Sequence, residues 1–475
     1  MVHQWRSKYP NIIQNKHLIF SDGAAGTQVP SEVIERMATH LRDVGSTNVG
    51  GEYNTGSMAL RTVTNARCAG KDLLGTEATG EIAFGLNCTN LMFHLARSIE
   101  NMVNENTLRK DNSMVESNNE MLNIEPGDNI ILSRACHDAN IAPWLLLARN
   151  LKLEVRWLDC LGSLRTTQVD DSNMDCLDLK QIPSLIDERT RLISLGLASN
   201  ATGRIHLSAI EKINQVVDGF GYKHNPFLIL DGTHYLPHRR ANIEQLKADA
   251  IVCSAYKFFG PHLGVMAFNG ARMKALMPSK VGVRYDSTGR METDILGYGE
   301  YPEVENCEIS RWEMGTLNYE ALAGFESCVN YLASLGNTYA ASDAENGQVK
   351  RYELLNSSFN AIRSHEESLS QRFLDGLDQS LKLRKIRLLG SRDVTERTPT
   401  FALTINGCNT VNGVELVEKL NQSNILCTHG NHYAPYLVEN CLNEPKGVTR
   451  VSLLHYNTIE EVDKIIRVLE EYTNN

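Results

Sequence analysis

The chain has 475 residues, 42% hydrophobic and 22% charged, with a net charge of -10. That length exceeds one compact core, so two domains are expected, and the acidic balance argues against nucleic-acid binding as the main task. Eleven cysteines lie scattered without metal-ligand spacing, which fits a reduced, cytoplasmic protein rather than a disulfide scaffold or a metal site.

The N-terminus, Met1 to Pro10, has no apolar core and is no secretory signal, and no run of about eighteen apolar residues could span a membrane. From about residue 60 to 270, short β-type runs alternate with helix-length segments: Asn129–Ser133, Leu153–Leu158, Leu192–Leu197, Phe227–Asp231 and Ala250–Cys253. This alternation predicts an α/β domain with a largely parallel sheet between helices. The polar segment 104–123, rich in Asn, Glu, Ser and Met, offers little to bury and is expected to be an insertion or loop. Further on, Ala321 to Leu335 reads as a helix closed by Gly336, and a longer helix is expected from about 345 to 377. Strands at 386–389 and 400–405 and an amphipathic helix at 460–469 complete an α+β tail.

The chemistry concentrates at two strand ends. Lys257 follows the apolar run Ala250–Cys253 and precedes a Gly/Pro-rich turn, where open α/β sheets bind ligands. A lysine forced out of water loses its proton more readily and becomes a nucleophile toward aldehydes. Asp231 ends the apolar run Phe227–Leu230, and the intervening chain suffices for a short crossover between neighbouring strands. Pyridoxal phosphate uses such a pair: the lysine holds its aldehyde as a Schiff base, and a carboxylate keeps the pyridine nitrogen protonated. Each residue also has a plain alternative, since lysines snorkel at surfaces and aspartates cap turns.

At this point the sequence resembles the class V aminotransferases of pyridoxal-phosphate fold type I, and within them the branch of SUF-type cysteine desulfurases. The resemblance runs in order over almost the whole chain. Ser21-Asp22-Gly23-Ala24-Ala25-Gly26-Thr27 is similar to the family's N-terminal strand and turn, and Gly85 to Asn90 to its first phosphate-binding turn. It implies a large domain over 20–315 with a mostly parallel seven-stranded sheet, and a small α+β domain formed by 1–19 and 316–475. It further implies that Cys88, Thr89, Ser254 and Tyr256 bind the phosphate, that His137 stacks on the ring, and that Asn200 and His234 approach its phenolic oxygen. Thr316 would reach the phosphate of a second subunit in a homodimer. Arg450 would grip the α-carboxylate of an amino-acid substrate, with Ala25 and Tyr433 lining its side, as would the Asn48–Gly51 loop. His137 would serve as a second catalytic group beside Lys257.

Bland roles remain open for these positions: Cys88 and Thr89 as helix-capping residues, His137 as an ordinary core or surface histidine, Arg450 as a strand-end arginine. His238 is expected to be structural. One departure bears on the reaction. Desulfurases carry their sulfur-accepting cysteine in a Gly-His-His-Cys-Ala segment, where this chain has Gly430-Asn431-His432-Tyr433-Ala434. A phenol cannot carry a persulfide, so β-elimination, epimerisation or transamination is expected. The alternatives are desulfuration through a relocated Cys427 and a cofactor-binding pseudoenzyme.

Overall fold

The computed structural model describes residues 1–49, 51–76, 80–111, 123–163, 169–221, 225–273, 276–279, 311–336, 350–380, 383, 385–405 and 411–473. Its largest sheet has seven strands: β2 (Gly80–Gly85), β3 (Asn129–Ser133), β4 (Glu154–Leu158), β5 (Thr190–Gly196), β6 (Phe227–Asp231), β7 (Ala250–Ser254) and β8 (Gly264–Asn269). β1 (Ile19–Phe20) lies elsewhere. The spatial order is β2-β8-β7-β6-β5-β3-β4, and β8 alone runs against its neighbours. The fold is therefore the expected fold type I architecture.

The apolar runs that read as buried strands are buried on both faces, as parallel sheets require. In β6 Leu228 and Leu230 enter one core while Phe227 and Ile229 enter the other, and in β7 Ile251 and Cys253 oppose Ala250 and Val252. Helices Ser31–Asp43, Asn54–Leu74, Leu207–Phe220 and Tyr319–Ser334 contribute to the first core, helices Cys88–Asp111 and Ala142–Leu151 to the second.

A second sheet is antiparallel, with order β12 (Thr428–Gly430), β13 (Val448–Ser452), β10 (Thr400–Ile405), β9 (Ile386–Leu389). Helices Arg351–Gln379, Val411–Gln422 and Ile459–Thr473 enclose its core of Phe373, Phe401, Leu420, Ile465 and Leu469. β1 pairs in parallel with β11 (Ile425–Leu426), while Trp5, Tyr9 and Ile12 ahead of it pack in the large-sheet core.

Three expectations need correction. Residues 104–111 are not a loop but the last turns of helix Cys88–Asp111; 112–122 lie outside the described residues. The boundary at 315/316 cuts too early: helix Tyr319–Ser334 sends Tyr319, Leu322, Phe325 and Leu332 into the large-sheet core, packing on helices Ser31–Asp43 and Asn54–Leu74. The long helix starts at Arg351, and 345–349 lie outside the described residues.

One close approach sets the site's frame. Helix Cys88–Asp111 begins against the first residue of β8, where a Cβ on Gly264 would come within 2.8 Å of the Asn87 backbone. Asn87 caps that helix by accepting from the Asn90 amide at 2.8 Å. Only glycine lets the helix start sit this close to the sheet. Gly264→Ala is expected to cost roughly 1–3 kcal/mol, the usual range for overpacking, in urea unfolding of the cofactor-free protein.

Candidate active site

The strands deliver their C-terminal ends to one crevice. A cavity there is lined by Cys88, Thr89, His137, Asn200, Asp231, Thr233, His234, Ser254, Tyr256 and Lys257, among others. It opens into a wider cleft lined by Ala24, Ala25, Phe93, Asp138, His429, Asn431, His432, Tyr433 and Arg450. The chain thus brings together every residue expected to bind cofactor or substrate except Thr316 and the Asn48–Gly51 loop. Thr316 is exposed and lines neither cavity. In the loop, Asn48 accepts from the Tyr319 hydroxyl and faces helix Tyr319–Ser334 rather than the cleft; Gly50 lies outside the described residues.

Lys257 is hydrogen-bonded by the backbone. Its Nζ donates to the carbonyls of Ala24 at 2.5 Å and Ala25 at 2.8 Å and lies 5.1 Å from the Tyr256 ring centroid; among the described residues no carboxylate is in hydrogen-bond contact with it. Burial first, and the Arg450 charge second, bring its ammonium down to about 8; Asp22 and Asp231 pull the other way. Asp231, 9% exposed, fixes one oxygen on the Thr233 amide at 2.9 Å. It stands at the end of β6, whose neighbour β7 leads directly into Lys257.

His137 opens the turn after β3 and accepts from the Ala139 amide through Nδ1 at 3.0 Å, which leaves the proton of the neutral ring on Nε2. Burial holds it below its ordinary value, so it is neutral near pH 7. Tyr433 covers it from the cleft side, with ring centroids 5.5 Å apart and 34° between planes. His432 and Tyr433 both have positive φ (52° and 56°), a strained pair held because Asn431 Oδ1 accepts from the Tyr433 amide and the Tyr433 carbonyl accepts from Asp138.

The remaining residues are already engaged. Asn200 donates to the His432 carbonyl at 2.8 Å, and His234 Nε2 meets the Thr398 hydroxyl at 3.1 Å. Ser254 accepts from the Cys88 amide, keeping its own hydroxyl proton free to donate. Tyr256 stacks on His262 at 4.6 Å with 9° between planes. Cys88 is buried, and burial with the Asp231 charge pushes its thiol well up. His238 bonds the buried Glu366 at 3.0 Å. Cys427 packs into the small-sheet core, not the cleft, and burial pushes its thiol up to about 12. Cys427 is not among the residues that line either cavity.

Comparison with known proteins agrees with this geometry. The aminotransferase class-V family model matches residues 19–122, 106–358 and 347–465. The chain belongs to the class-V aminotransferase family. It is thus an enzyme of the aminotransferase and cysteine desulfurase-like class, a family that depends on pyridoxal phosphate. An aminotransferase-like protein of Gibberella zeae is 27% identical over 472 residues, covering 98% of this chain and 96% of that one. A cysteine desulfurase of Serratia proteamaculans is 25% identical, covering 99% and 97%. The solved structure of a cysteine desulfurase from Thermococcus onnurineus superimposes with a TM-score of 0.74 at 19% identity, covering 99% and 98%. The class-V fold is thus shared over its full extent. Among the described residues no helix is long and apolar enough to cross a membrane, and no group of three metal-ligating side chains occurs.

Sequence reasoning missed Asp22 and Thr233 as site residues. Asp22 ion-pairs with Arg450 across 428 positions, for which no local signal exists. Thr233 follows Asp231 by two, a spacing that places its amide on the carboxylate.

Lys257 supplies a direct pH test. Its amine is neutral above about pH 8, whereas an unfolded lysine remains charged to about 10.5. Burying the charged form therefore costs stability below pH 8, and that cost fades as pH rises toward 10.5. Reductive alkylation of Lys257 by a small aldehyde, followed by peptide mass mapping, should show a rate rising with pH about a midpoint near 8. A midpoint near 10.5 would show that burial does not lower it.

Proposed function

We propose that this protein uses pyridoxal phosphate to act on an amino acid without a sulfur-accepting cysteine. The observation that carries the reading is the seating of Lys257 and Asp231 on adjoining strand ends in one cavity. The residues fit the cofactor in chemistry as well as number. The Thr233 hydroxyl lines the cavity wall beside the Cys88 thiol, and a lysine hydrogen-bonded to backbone carbonyls is suited to an aldehyde. Thr89 lies in the first turn of a 24-residue helix, whose leading amides have no acceptor within the helix and favour an anion.

Cys88, Thr89, Ser254 and Tyr256 would hold the phosphate, Asp231 the ring nitrogen, His137 a ring face, and Lys257 the aldehyde. Asn200 and His234 would approach the ring oxygen, Asn200 after exchanging its bond to His432. Thr316, exposed and outside its own cavity, suits a role across a homodimer interface. When bound, the cofactor supplies an electron sink for the substrate α-carbon.

The chain's own groups do the rest. Arg450 binds the α-carboxylate, which sets the α-carbon toward Lys257 in the inner cavity. The Lys257 amine, kept neutral near pH 8 by burial, takes the α-proton onto Nζ. His137 Nε2–H serves as a donor on the opposite side. The 430–434 loop borders the outer cleft, with Tyr433 against His137. Tyr433 stands where a desulfurase presents its thiol, so sulfur transfer to the protein has no acceptor in this loop. The steps open after proton removal are β-elimination, epimerisation and transamination.

Purified protein should show a visible absorbance that borohydride removes and that Lys257→Ala lacks; absence of both overturns the cofactor assignment. An amino-acid panel read separately for pyruvate, sulfide, keto acid and D-enantiomer assigns the step. Cys427→Ser should leave any sulfide release unchanged, within about twofold, because the buried thiol takes no part.

A further inference from the structure

The turn Asp22–Ala25 holds both cations of the site at once. Its Ala24 and Ala25 carbonyls accept from Lys257, while its Asp22 carboxylate accepts from Arg450 Nη2 at 2.7 Å. The turn is anchored to β13, the strand that carries Arg450: the Gly23 amide donates to the Ser452 carbonyl, and the Ala24 amide to the Ser452 hydroxyl. Arg450, 4% exposed, also donates through Nη1 to the Asn200 carbonyl, and its Nε is buried without a partner. The Asp22 side chain is four-fifths covered and takes a further, longer bond from Thr428. Arg450 is thus not a bare clamp waiting for a carboxylate, since one already occupies it.

We propose that Asp22 is a positioning residue that acts as an internal competitor for Arg450, orienting the guanidinium while setting how tightly an amino-acid carboxylate binds. The inference rests on Arg450 being the carboxylate site proposed above. A ligand carboxylate that reaches Arg450 meets the negative charge of Asp22 within the same few ångströms. In this partly dry setting like charges repel more strongly than in water. The unpartnered Nε and the remaining Nη protons are then the donors left for the ligand. The arrangement lowers affinity without lowering order: the guanidinium keeps its geometry, and weak ground-state binding leaves product free to depart.

Asp22→Asn tests this, because the amide oxygen still accepts from Nη2 but the charge is gone. The probe is propionate, a carboxylate without an amine, titrated into cofactor-loaded protein and followed by calorimetry. Propionate should bind on the order of tenfold tighter to Asp22→Asn than to the unaltered protein, as desolvated charge pairs couple at least that strongly. The gain should vanish in the Arg450→Gln background. With the amino-acid substrate, KM should fall with little change in kcat, a split that a loosened fold would not produce. Asp22→Ser serves as the second variant should the asparagine fail to fold. If propionate binds both Asp22 variants no tighter while Arg450→Gln weakens it, the competitor role is overturned. If Arg450→Gln leaves propionate binding unchanged, the carboxylate assignment of Arg450 falls instead.

Discussion

Keeping one amine dry at the end of β7 is the constraint on which the site depends. A charged lysine in a cavity is costly, and this chain lessens the cost by lowering the proton affinity of Lys257 rather than by giving it a carboxylate in direct contact. Everything near it follows that choice. The holders are backbone carbonyls, the Arg450 charge acts on the amine, and Asp231 bonds the Thr233 amide. An amine bonded directly to a carboxylate would be stable and inert. Held by carbonyls alone, it can exchange those bonds for a covalent one.

The fold supplies that setting through the two buried faces of a parallel sheet. Strands with apolar residues on both sides cannot turn a charged group into the core, so chemistry collects where they end. The Gly264–Asn87 approach then brings a helix start to the same edge. The antiparallel sheet closes the crevice from the other side, presenting Arg450 from β13 and the 430–434 loop from the end of β12.

Much of this is legible in the sequence. Phe227–Asp231 and Ala250–Lys257 stand out because their apolar runs end abruptly in a charge, a local pattern that burial explains. The site residues of the family resemblance converge on one cavity and its mouth, Thr316 and the Asn48–Gly51 loop excepted. What stays hidden is non-local. Nothing near Asp22 signals an ion pair with a residue 428 positions away. The burial of Cys427 depends on β11, β13 and three helices meeting around it. Segment 104–111 is polar enough to pass for a loop, yet helix Cys88–Asp111 carries it because its first half is anchored by Leu91, Leu95 and Ile99. The early domain boundary has a similar origin: helix Tyr319–Ser334 is apolar, and only the packing decides which core receives it.

The turn that joins Asp22 to Arg450 also bears on how the molecule is made. Both ends of the chain must be present before Lys257 has its holders and its neighbouring cation in place. Contacts this distant in sequence form late, after the sheet has assembled. A nascent chain that has synthesised β7 carries the lysine but not the strand that anchors its carbonyl cradle. The reactive amine is thereby completed only once the C-terminal strand β13 docks.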